Sequence, residues 1–135
     1  MSLTQFRWTP LVLSLGLALP LAGPVSADDK IATRTELQVV MQRHVDRGQI
    51  EGAILDVDFD TGALRELYLT DAHPMIMQGP GYYVLCADLA TKEGELHEVD
   101  YYVAETDRGY RVFRTEIDNR AVLAALVETG EVTEF

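Results

Sequence analysis

The chain has 135 residues and carries 22 Asp and Glu against 11 Lys and Arg, a formal net charge of −11. An excess of that sign repels nucleic acid and anionic lipid, so it argues against both and favours either a simply solvated surface or a cationic partner. Cys86 is the single cysteine, which excludes an intramolecular disulfide and leaves the apolar core to hold the fold unaided.

The first 27 residues have the three parts of a secretory signal peptide. Met1–Thr9 carries Arg7 and no acid, Leu11–Leu21 is a nearly unbroken apolar run, and Val25-Ser26-Ala27 supplies a small-x-small step before Asp28. The run is shorter than the roughly 20 residues that span a hydrocarbon core, and Pro20 and Pro24 interrupt its end. The sequence therefore predicts cleavage after Ala27, no membrane insertion and a periplasmic location, since export without disulfides suits that compartment. Loss of the leader removes Arg7 and Trp8, leaving one domain over residues 28–135 with a net charge of −12 and no tryptophan.

A helix opens the remaining chain. Thr33 and Glu36 have the spacing of a capping box, Leu37, Val40, Met41, His44 and Val45 make an apolar stripe, and Gly48 provides a stop. From Ala53 the period changes to two, with Leu55, Val57 and Phe59 alternating with Asp56, Asp58 and Asp60. Asp60-Thr61-Gly62 predicts a hairpin turn into a second strand over Ala63–Thr70, followed by a looser connection containing Pro74, Gly79, Pro80 and Gly81. Tyr82–Ala90 is the most apolar strand. Further strands are predicted over Leu96–Glu105, with Val99, Tyr101 and Val103 on one face, and over Tyr110–Ile117. Asp118 is expected to cap a short closing helix through Val122, Leu123, Leu126 and Val127.

These elements predict an α+β fold: an N-terminal helix packed on a twisted antiparallel sheet of about five strands, with a short C-terminal helix. The arrangement resembles the cystatin-like and PepSY-like helix-on-sheet folds. Gly48–Phe59, a helix stop followed by alternating acidic and apolar residues, is similar to the corresponding part of PepSY domains. The resemblance implies a fold and carries no functional residue with it.

Two constellations bear on function. On an extended segment His73, Met75 and Met77 point the same way, and imidazole with thioether sulfur suits Cu(I). The tyrosine doublets Tyr82-Tyr83 and Tyr101-Tyr102 each put one ring on either face of the sheet. If Tyr101 faces the helix, Tyr102 lies outside with Glu98 and Asp100, and together with Tyr82 and Asp88 forms an acidic, aromatic surface of the kind that binds partners.

Other features read as structural. Asp56, Asp58 and Asp60 lack the glycine and the final carboxylate of a calcium loop, because Thr61 and Leu67 occupy those places. Cys86 lies mid-strand among apolar residues, which predicts a buried and inert thiol. No nucleophile–base–orienter set assembles locally, so the sequence predicts a protein without catalytic activity or cofactor. The expectation is a small acidic binding protein, an envelope accessory or an inhibitor or immunity-type protein, acting through its sheet face. Copper binding at His73, Met75 and Met77 is the alternative.

Overall fold

The computed structural model describes residues 26–135; apart from Ser26 and Ala27, the expected leader lies outside the described residues. Helix α1 (Ala27–Gly48) is followed by strands β1 (Ile54–Val57), β2 (Leu64–Gly79), β3 (Tyr82–Ala90), β4 (Leu96–Thr106) and β5 (Gly109–Ile117). Helix α2 (Ala121–Glu128) and a two-residue strand β6 (Thr133–Glu134) close the chain. This is the expected α+β order, with a helix on an antiparallel meander β1-β2-β3-β4-β5 and β6 added to β2. Among the described residues no helix is long and apolar enough to cross a membrane.

Helix α1 begins earlier than the capping box suggests. The Ser26 hydroxyl accepts a hydrogen bond from the Asp29 amide at 3.2 Å, and Asp28 and Asp29 place negative charge in the first turn. Thr33 and Glu36 thus lie inside the helix, about two turns too late to cap it. The stripe itself is as expected: Leu37, Met41 and Val45 are buried against Leu67, Ile76, Leu85, Ala87, Leu89, Val99, Tyr101 and Val103 of the sheet.

The second strand differs most from expectation. Rather than ending near Thr70, β2 continues for 16 residues to Gly79, through the segment read as a connection. Its pairing with β3 shifts register between Leu69 and Asp71 and again between Ala72 and Ile76. These bulges absorb Pro74, which has no amide to donate to a ladder. The outer edge of β2 is shared: β1 pairs with Leu64–Leu67 and β6 with Met77 and Gln78. Arg34 of α1 donates to the carbonyls of Pro74 and Phe135, fastening the bulge and the last residue to the helix.

Pro80 and Gly81 make the turn into β3, with Gly79 paired to Tyr82 and Gly81 at φ +84°, the left-handed position of a Pro-Gly turn. A Cβ on Gly79 would come within 2.8 Å of three atoms of the Tyr82 side chain. Any side chain at Gly79 would have to displace the Tyr82 ring that lies directly on the backbone.

Helix α2 does not extend the sheet but folds over its other face. Leu123 and Val132 bury against Val84 and Tyr102, joined by Met77, Tyr82, Cys86 and Leu126. The protein therefore has two cores, one on each side of the sheet. Asp118 does not cap α2: the N-cap position is Arg120, without a side-chain bond. Asp118, at φ +53°, instead turns its carboxylate back toward β2 and β4.

Candidate functional site

Helix α1 stops at Gly48, and the space beyond it on that side of the sheet is not filled. The unfilled end is an open cleft of about 930 Å³, lined by His44, Gly48, β1, the β1–β2 hairpin, Arg65, Leu96, His97 and the end of β5. Its chemistry is one-sided. Asp56, Asp58, Asp60, Glu95, Glu116 and Asp118 all border it, whereas Arg65 is the only lysine or arginine among the described residues that does so.

Arg65 is already neutralised. Its guanidinium lies 2.7 Å from Asp56 and 3.0 Å from Asp118, past the end of β3. Burial alone would lower its pKa, but the hydrogen bonds and charges of Asp56 and Asp118 outweigh burial and raise it. His97 completes the cluster, with Nδ1 at 2.7 Å from Asp118 and 3.3 Å from Arg65 Nη1. When Nδ1 carries the proton it donates to Asp118, and Arg65, which can only donate, makes no hydrogen bond to that nitrogen. The ring is only 8 % exposed, and its Nε2 has no hydrogen-bond partner among the described residues. The Asp118 carboxylate also accepts from the Glu98 amide, which fixes the chain where β5 leaves the sheet.

The mouth of the cleft is apolar as well as acidic. Phe59, at the tip of the β1–β2 hairpin, is 94 % exposed, and Leu55, Val57, Leu64 and Leu96 are exposed nearby in the fold. The hairpin is held by Asp58, whose side chain accepts from the amides of Asp60 and Thr61. The Asp60 amide is the main cause that keeps the Asp58 carboxyl below its ordinary value. On the opposite wall His44 meets Tyr101 edge-to-face at 5.8 Å between ring centres. Burial, assisted by Arg47, lowers its pKa.

The other face holds the residues expected to make an exposed binding surface, and there the structure requires a correction. Tyr101 does face α1 and Tyr102 does face away from it, but α2 covers the far side. Tyr102 is 7 % exposed and Asp100 2 %. Asp100 is held by Arg120 at 2.8 Å, and Arg120 also reaches Glu98 at 2.6 Å. Tyr82 packs beside Tyr102, with ring centres 6.0 Å apart. Of the five residues, Glu98 alone is well exposed, and Asp88 and Tyr82 are partly so. Cys86 sits in the same layer; burial and then Asp100 push its thiol up to about 12.

The structure also redistributes the His-Met segment. Met77 packs in the α2-side core, and Met75 is exposed. His73 meets carboxylates, with Nε2 at 3.1 Å from Asp88 and Asp71 beside both. The cluster of Arg65, His97 and Asp118 was not legible from sequence. Only the Asp56–Arg65 pair left a signal, since these residues face each other across a hairpin turned at Asp60-Thr61-Gly62.

No protein-family model matches the chain, no curated protein matches its sequence and no solved structure matches its fold.

Proposed function

We propose that the chain is an exported, non-catalytic periplasmic protein that binds a cationic protein partner through the concave face of its sheet. The observation that carries this reading is the cleft's imbalance: six carboxylates border it with one guanidinium, and that guanidinium is saturated by two of them. The remaining field favours a Lys- or Arg-bearing group, drawn in at a distance by the overall acidity. Phe59 supplies a contact anchor of the aromatic kind that dominates interface energetics. The same geometry serves an envelope accessory or an inhibitor or immunity-type protein meeting a basic enzyme. A binding role is further supported by Cys86, whose raised thiol pKa does not suit a nucleophile.

Cleavage after Ala27 would remove the Ser26 cap and fray the first turn of α1. The stripe that packs on the sheet starts at Leu37, so the fold tolerates that loss.

The test is retention of a partner from periplasmic extract by three forms of the protein. The parent and Glu98→Gln, altered on the α2 side, should retain the same basic protein. Phe59→Ser combined with Asp60→Asn should lose it, and retention by the parent should fall between low and physiological salt, where the Debye length is about 8–10 Å. Loss in Glu98→Gln with retention in the hairpin variant would reject the cleft as the binding face.

A further inference from the structure

A second cluster lies outside the cleft, where β2 and β3 pair. Asp71 stands directly opposite Asp88 in the ladder, and like charges so placed destabilise a strand pair. The register shift that follows leaves His73, Pro74 and Met75 extra to the pairing, and His73 comes to lie against the two acids. One ligand atom from each of Asp71, His73 and Asp88 lies within 4.8 Å of the others. The bulge is pinned from outside by Arg34 on the Pro74 carbonyl and by β6 on Met77 and Gln78. A fixed bulge that re-aims one side chain onto an opposed carboxylate pair is a common way for a strand to build a site.

We propose that Asp71, His73 and Asp88 form a binding site for a divalent cation of the zinc class. Ligands on one tetrahedral ion at about 2.0–2.1 Å sit roughly 3.3 Å from one another, close to the 3.1 Å already separating His73 Nε2 from Asp88 Oδ2. Two carboxylates and one neutral imidazole cancel a charge of +2, and the ion removes the Asp71–Asp88 repulsion that the ladder creates. Carboxylate with imidazole is a harder donor set than thioether, so it selects a divalent ion and not Cu(I). Three protein ligands leave a position for water or for a donor from a partner. The site is independent of the cleft, and it stands or falls separately from partner binding.

The experiment is a titration of the protein with zinc alone, read by calorimetry and by the thermal midpoint. The parent should bind one equivalent and its midpoint should rise. His73→Ala should bind at least about 100-fold more weakly, at or beyond the 10–100-fold range for loss of an outer partner, and its midpoint should not respond to zinc. Asp71→Asn, at an exposed position, should weaken binding about tenfold without loss of fold and serves if His73→Ala misfolds. Met75→Leu should bind as the parent does. Absence of zinc binding by the parent, binding indifferent to both His73 and Asp71, or loss of binding in Met75→Leu would overturn the proposal.

Discussion

The two faces of the sheet use the same material to opposite ends. Each has an arginine set between carboxylates: Arg120 with Asp100 and Glu98 on the α2 side, Arg65 with Asp56 and Asp118 on the α1 side. Under α2 the Asp100 carboxylate is almost fully buried, while its partner Arg120 keeps 29 % of its side chain exposed. On the α1 side the helix stops at Gly48 and the pair lies in an open cleft. Alternating acids along a strand thus say that a face is polar, not that it is reachable. The helix laid over it decides that, and α2 is short and followed by a two-residue strand that sequence periodicity hardly marks.

The comparison breaks first at the cores. Leu37→Ala, at the centre of the α1-side core, should cost about 3–4 kcal/mol, within the range for buried leucines. Leu123→Ala should cost less, about 2 kcal/mol, because an eight-residue helix can settle into the space. Equilibrium denaturation reads both, and the reverse order would make α2 the principal support of the fold.

The ion pairs sharpen it next. Arg120→Ala strands the Asp100 carboxylate in the α2-side core and should cost about 3 kcal/mol. Arg65→Ala opens a pair that water already reaches and should cost about 1 kcal/mol. Equal losses in denaturant would mean that the cleft is as dry as the covered face.

Reactivity and pH give the smaller effects. A thiol pushed up to about 12 should react with a disulfide reagent at pH 8 far more slowly in the native protein than in denaturant, so fast native labelling would show that α2 does not seal its face. His44 has a folded pKa below the ordinary 6.5, so the unfolded chain binds the proton first as pH falls. Its contribution to stability is complete above about 6.5 and declines as pH drops below that value. A His44→Gln variant should lack this slope in a stability–pH series, and an unchanged slope would assign it to other groups.

Much of the fold was legible because it rests on local patterns. The stripe from Leu37 to Val45 and the split of Tyr101 and Tyr102 to opposite faces follow from periods of 3.6 and 2. What escaped depends on contacts between distant segments. Pro74 reads as a strand breaker, yet a bulge and an edge position accommodate it. Asp118 reads as a helix cap, yet His97 and Arg65 offer its carboxylate a stronger charge-assisted bond. Tyr102 reads as exposed because nothing local reveals that Leu123 and Val132 return to cover it. The candidate site was the least legible part, since it joins β1, β2, β4 and the end of β5.

The central claim is that the open α1-side cleft, and not the α2-side face, is the surface that meets a partner. Hydrogen exchange of the protein alone and in complex with its basic partner tests it most directly. The account predicts added protection over residues 54–60 and 95–97, with α2 and the strand segments beneath it unchanged. Protection confined to 98–102 and 121–128, with the hairpin unaffected, would contradict it.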